Sequence, residues 1–291
     1  MSKANVRGIV AMLAAVATFA VMDLCMKRLV ETYPAIQVTF LRGATSLPLL
    51  VAATALFGQW RNLRPQRWGL HLVRGLLSII ILWAFVFAVK DLSLADAYAI
   101  FMSAPLLITA LSVPLLHERV GWRRWLAVGV GMIGVIVILK PSGTSWLSLG
   151  GIAAFVAALG YALNALTIRM LARSDSADAT IVWPLAILTV VSAIAAAAVW
   201  VPLRAEHVAW IALLAVTGTI GQYLLTHAFR RASPAVLAPL EYTALAWGLL
   251  FDFVIWSSTP SARMLVGAAI IVASGLYVFQ RERRTASQIA C

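Results

Sequence analysis

The sequence predicts an all-α integral membrane protein, and three observations lead there. Its 291 residues are 62% hydrophobic and only 12% charged, whereas soluble domains carry roughly a quarter charged residues. Apolar stretches of about 20 residues, the length of a spanning helix, recur from end to end with short polar gaps between them. No stretch alternates with the period of two that a barrel strand needs. Lipid offers open backbone groups no partner, so each stretch must close its hydrogen bonds within a helix.

Ten stretches qualify, in order. The first, near 8–26, follows the basic lead of Lys3 and Arg7. That start also suits a cleaved signal peptide, but a matching pattern recurs mid-chain, where nothing could be cleaved. The second, 36–57, stops before Arg61, Arg64 and Arg67; the third, 70–89, stops at Lys90. The fourth, 94–116, and the glycine-bearing fifth, 122–139, flank Arg119, with Arg123 and Arg124 opening the fifth. The sixth (149–171) and seventh (181–201) are separated by Arg173 and a polar run, and the eighth (208–228) ends at Arg230 and Arg231. The ninth, 234–256, and the tenth, 262–280, close the series before Arg281, Arg283 and Arg284.

The net charge of +12 would suggest nucleic acid only if the bases clustered on a polar domain. They lie in short connections instead, so no nucleic acid partner is expected. Cytoplasmic loops are enriched in Lys and Arg. Alternate connections hold 15 of the 23 bases, the opposite set holds 6 (Lys27, Arg28, Lys90, Lys140, Arg204 and Arg263), and Arg42 and Arg74 lie within helices. Ten crossings with this split place both termini in the cytoplasm.

An internal repeat supports the same plan. A shift of 142 places Gly8, Ala11, Ala15 and Ala20 on Gly150, Ala153, Ala157 and Ala162, with Phe19 on Tyr161 and Lys27 on Arg169. A shift of 140 places Trp83, Ala88, Lys90 and Ser93 on Tyr223, Ala228, Arg230 and Ser233. Five helices per half is an odd number, so the halves, 1–140 and 141–291, insert in opposite orientations. Inverted repeats are an architecture of secondary transporters, with the substrate site between the halves near the midplane.

Several constellations are candidates for that site. Matching stripes run along the first helix (Ala11, Ala15, Thr18, Met22, Cys25) and the sixth (Ala153, Ala157, Gly160, Asn164, Thr167), each on one helical face. Small residues serve tight helix packing as well as cavity lining; Asn164 favours the cavity. Trp83 and Tyr223 lie deeper than the tryptophans at helix ends, and Thr219, Gln222 and Thr226 surround Tyr223. Such walls suit an organic solute. Tyr98 shares a face with Met102 and Pro105.

Charges inside spans are the sharpest marks, since each costs roughly 2.5–3.5 kcal/mol at mid-membrane on insertion scales. Asp23 and Arg42 fall at similar depth on sequential helices, as either a structural ion pair or a gate or coupling site. Arg74 and Asp252 lie near helix ends, where side chains reach toward water, and are not expected to be site residues. Glu241, about two turns inside the ninth helix in Pro239-Leu-Glu-Tyr-Thr243, has three readings: proton coupling, a seat for a substrate ammonium, or a protonated structural group. His227 is its nearest sequence candidate for a partner.

Enzyme signatures are missing. The sequence has no nucleotide phosphate loop, no His-Glu-x-x-His and no close cluster of acids for Mg2+. Cys25 and Cys291 have neither the count nor the spacing of a disulfide framework or zinc site, and no cofactor is expected.

Read in order, Thr39-Phe-Leu-Arg42, the Ala88-x-Lys90-x-x-Ser93 run, and His117-Glu-Arg119 before Gly131-Met-Ile-Gly134 resemble the EamA family of the drug/metabolite transporter superfamily, and within it bacterial amino-acid exporters. The resemblance implies a central cavity lined by helices 1, 3, 4, 6, 8 and 9, with 5 and 10 as supports, and transport by alternating access. Trp256-Ser-Ser-Thr259 stands where the second half would repeat Glu118-Arg119, so no role is carried there. The expectation is a secondary transporter of the bacterial inner membrane, exporting amino acids or similar metabolites, with possible proton coupling. Its expected cavity residues are Asp23, Trp83, Tyr98, Asn164, Tyr223 and Glu241. A drug or nucleotide-sugar carrier is the alternative in the same superfamily, and a membrane-embedded lipid-modifying enzyme the alternative outside it.

Overall fold

The computed structural model describes residues 3–56, 63–116, 121–139, 148–171, 174–231 and 240–289. Among these there is no strand. Helices α1 (Lys3–Val30), α2 (Ala35–Leu56), α3 (Trp68–Asp91), α4 (Leu94–Phe101), α5 (Ala104–Leu116) and α6 (Trp122–Leu139) form the first part of the chain. After them come α7 (Leu149–Leu171), α8 (Ala177–Ala197), a 3-10 turn at Ala205–His207, α9 (Val208–Arg231), α10 (Thr243–Trp256) and α11 (Ala262–Ile289). The His117-Glu-Arg119 run, Lys140, Ser233 and Pro239, with the side chains of Arg169 and His227, lie outside the described residues.

Seven segments are long and apolar enough to cross a bilayer: Val6–Val30, Ala35–Thr54, Trp68–Asp91, Leu94–Leu115, Leu149–Ile168, Asp178–Ala197 and Ala205–Leu225. Trp125–Ile138, Thr243–Trp256 and Ala262–Val278 are shorter apolar helices. Outward-facing Ile194 and Val254 are 72% and 66% exposed, a surface stable only against hydrocarbon. The chain is a multi-pass integral membrane protein.

The fourth expected helix is two, because Pro105 has no amide to give the Phe101 carbonyl and its ring crowds that turn. The Ser103 amide bonds Ile100 O at 3.0 Å, a tightened turn, before α5 restarts from Ser103 O. The ninth has a corresponding interruption: helical Leu240 and Glu241 meet a turn at Tyr242 before α10 begins. Met102 and Tyr242, one at each break, are 140 residues apart. The seventh helix begins earlier than its hydropathy suggests, because Ser176 caps it by accepting from the Ala179 amide at 3.0 Å.

Each helix from the first part of the chain lies along one from the second. α1 packs on α9, α2 on α8, α3 on α7, α4 on α10 and α6 on α11. Close approach needs small residues: a Cβ on Gly134 of α6 would come within 2.8 Å of the Gly267 carbonyl oxygen of α11. The main core, around Met26, Leu29, Tyr33, Phe85, Leu94 and Leu214, lies among α1, α2, α3, α4 and α9.

Inter-element bonds sort the connections to two ends. At one, Gln37 of α2 exchanges two hydrogen bonds with the Val201 backbone, and Tyr33 Oη meets His207 Nδ1 at 2.9 Å. At the other, the Gln66 amide donates to Asp175 at 2.7 Å and Trp183 Nε1 to the Leu63 carbonyl at 2.7 Å.

Candidate functional site

Asp23 lies in the last third of α1 (Lys3–Val30), within an apolar span where a carboxyl needs a protein donor or water. Tyr98 of α4 supplies one, its hydroxyl donating to Oδ2 at 2.6 Å. Burial of Tyr98 on all sides fixes that hydroxyl's position. Its ring stacks on Phe85 of α3 at 5.8 Å, Phe85 meets Phe101 edge-on at 5.7 Å, and Phe101 meets Tyr161 of α7 at 5.2 Å. Tyr161 in turn is electrostatically coupled to Glu241. An arch of four rings from three helices therefore runs from Asp23 toward Glu241. Apolar walls with a few oriented polar groups are what a site for an organic solute requires.

Asp23 and Arg42, read as either an ion pair or a gate or coupling site, interact electrostatically but form no direct salt bridge among the described residues. Arg42 Nε of α2 donates to Met22 Sδ at 3.2 Å, while Asp23 is held by Tyr98. Equal depth on neighbouring helices placed the two charges near each other without aiming them together.

Two expectations are corrected. Asp252 does not reach toward water; it is 3% exposed. It pairs with Lys27 of α1 at 3.1 Å and accepts from the Leu94 and Ala95 amides at 3.1 and 2.7 Å. With Ser93 Oγ accepting from the Asp96 amide, three of the orphan donors of α4 are satisfied, and the acidic side chain faces the positive end of the helix. Lys27 also donates to the Leu92 carbonyl and lies 4.5 Å over the Trp256 ring. Arg74 is likewise buried: its Nε donates to Asn164 Oδ1 at 2.8 Å and its Nη1 to the Thr180 carbonyl.

Asn164 is thus engaged in a tie between α7 and α3, its amide nitrogen reaching Ser78 at 3.4 Å. Trp83 and Tyr223 lie on exposed apolar stripes, Val73, Leu76, Ile80, Trp83 on α3 and Leu213, Val216, Ile220, Tyr223 on α9. Each position is 140 residues from its counterpart. Among the described residues, neither ring touches the arch. The structure brings Asp23, Tyr98 and Glu241 to one arch and leaves Trp83, Asn164 and Tyr223 off it. Phe85, Phe101 and Tyr161 were missed; Phe19 aligning on Tyr161 was the available signal.

At the opposite end from Asp252, His71 and Asp175 meet at 3.0 Å with both side chains sealed from solvent. Burial raises the Asp175 pKa, but hydrogen bonds from Ser174, His71 and the Gln66 amide outweigh it and hold the carboxyl down at about 2. Among the described residues no group of His, Cys, Asp and Glu could hold a metal ion.

The EamA-like transporter family model matches residues 6–140 and again 148–280. The chain belongs to that family. EamA-like proteins are transporters rather than enzymes, and similar ones move different solutes. An S-adenosylmethionine uptake transporter of Rickettsia bellii is 25% identical, covering 91% of this chain and 91% of its own. The pseudopaline exporter CntI of Pseudomonas aeruginosa is 26% identical over 88% and 89%. A solved crystal structure superposes with a TM-score of 0.66 at 20% identity, covering 98% of this chain and 99% of that one, which shows the fold. The family therefore supports a small-molecule transporter and leaves solute and direction open.

Proposed function

We propose that this EamA-like protein is a secondary transporter that exports amino acids or similar small metabolites across the bacterial inner membrane by alternating access. The observation that carries the reading is the ring arch between Asp23 and Glu241, a wall with an apolar middle and an acid at each end. Such a wall suits a solute with an apolar body and a cationic group. Glu241 then serves either the substrate ammonium or proton coupling.

The reading includes ten crossings in two inverted five-helix repeats, 1–140 and 141–291, with both termini cytoplasmic. The packing pairs support it, since exchanging the halves turns α1 on α9 into α7 on α3 and returns the other three pairs to themselves. The interruptions at Met102–Ser103 and Tyr242 support it too, because discontinuous helices frame transporter sites near the midplane.

The test is flux into proteoliposomes holding the purified chain, over amino acids, drugs and nucleotide sugars. Accumulation of amino acids alone is the expected result. Flux confined to drugs or nucleotide sugars replaces the substrate class, and product formation without translocation overturns transport altogether.

A further inference from the structure

Two opposite charges in one membrane interior ordinarily relieve their desolvation by pairing with each other. Asp23 and Arg42 are close enough to interact electrostatically, and still they do not pair. Tyr98 holds one oxygen of Asp23. The Nε of Arg42 is given to Met22 Sδ, and a thioether is a weak acceptor. Among the described residues no hydrogen bond engages Asp23 Oδ1 or the two terminal nitrogens of Arg42. Both residues keep part of their surface uncovered by the chain.

We propose that Asp23 and Arg42 are the two halves of a recognition site for a zwitterion, Asp23 taking its ammonium group and Arg42 its carboxylate. A guanidinium presents parallel N–H donors matched to the two oxygens of a carboxylate, which makes Arg42 the half that reads the acid. Tyr98 is a positioning residue: it takes Oδ2 and leaves Oδ1 for the ammonium. Other ligand classes use the pair poorly. A simple amine leaves Arg42 unanswered, a simple acid leaves Asp23 unanswered, and a phosphate meets one cation and one repelling carboxylate. Phe85, stacked on Tyr98, begins the apolar wall beside the charged end, so the zwitterion should carry an apolar or aromatic side chain. The inference rests on the amino-acid reading above and narrows it to one pair of contacts.

The test uses the full chain in nanodiscs and measures binding of three probes: L-phenylalanine, phenethylamine, which lacks the carboxylate, and 3-phenylpropionate, which lacks the ammonium. Wild type should prefer phenylalanine over either analogue by about tenfold or more, the scale of a lost charged contact. Asp23→Asn should erase the preference over 3-phenylpropionate while keeping that over phenethylamine, and Arg42→Gln should do the reverse. Glu31→Gln, in the exposed pair with Arg28, should change neither ratio. Each variant is first checked for monodispersity, and Arg42→Lys, which keeps the charge but not the fork, should restore part of the preference. If phenylalanine is bound and both variants keep wild-type ratios, the split site is wrong while the amino-acid reading stands. If no amino acid is bound but another solute is carried, both fall and only the family assignment remains.

Discussion

The hydroxyl of Tyr98 donates to Asp23 across 75 residues of chain, tying α4 to α1 at 2.6 Å. A partly buried carboxyl deprived of its donor loses up to about 1–3 kcal/mol. Tyr98→Phe keeps the ring stacked on Phe85 and removes that bond alone. Its melting temperature in detergent should fall; an unchanged value would mean that water replaces the phenol.

Lys27 and Asp252 should behave as a unit. Breaking a buried pair from one side costs about 3–5 kcal/mol, because the survivor keeps its charge without a partner. Asp252→Asn and Lys27→Met should each destabilise strongly, and the double variant should lose far less than the two together. Additive losses in that double-mutant cycle would show the ion pair to be energetically silent.

Glu241 is tested by its neutral mimic. If it couples protons, Glu241→Gln should abolish uphill accumulation in proteoliposomes and spare exchange of labelled for unlabelled solute. If it binds an ammonium, affinity for amino acids should fall far more than affinity for uncharged solutes. Wild-type flux, pH dependence and affinity in a folded variant would leave it a structural group.

Asp175 sets a pH window. Its folded pKa of about 2 lies below the ordinary 3.8, so its contribution is complete above the ordinary value and drains as pH falls through the folded one. Wild-type melting temperature should therefore drop more steeply than that of Asp175→Asn between about pH 4 and pH 2. Parallel curves would remove Asp175 from the acid response.

Orientation follows from the charge split. Single cysteines near Arg64, Arg124 and Arg284 should react with an impermeant thiol reagent only from the cytoplasm, and those near Thr144 and Thr259 only from outside. Mixed accessibility would overturn the inverted arrangement.

The helices were legible because hydropathy over 20 residues needs no tertiary information, and Lys3, Arg64 or Arg231 mark ends by composition alone. Partners were not legible. Arg74 finds Asn164 90 residues away and Asp252 finds Lys27 225 away, so counting turns from a helix end misread both as water-seeking. Asp23 and Arg42 were read at matching depth, but depth does not say which face a side chain leaves from. The ring arch escaped because Phe85 and Phe101 look like ordinary lipid-soluble residues until three helices bring them edge to face.

A rod bends where a rung is missing. At Phe101 the carbonyl has no amide from Pro105 to hold it, so α4 and α5 share a joint instead of a continuous ladder of bonds. The far end of α4 is clamped by Asp252 and Lys27, while α5 lies against α7 and α6. A tilt of α5 about that joint would leave the clamp undisturbed, with the Tyr98–Asp23 bond one turn from the pivot.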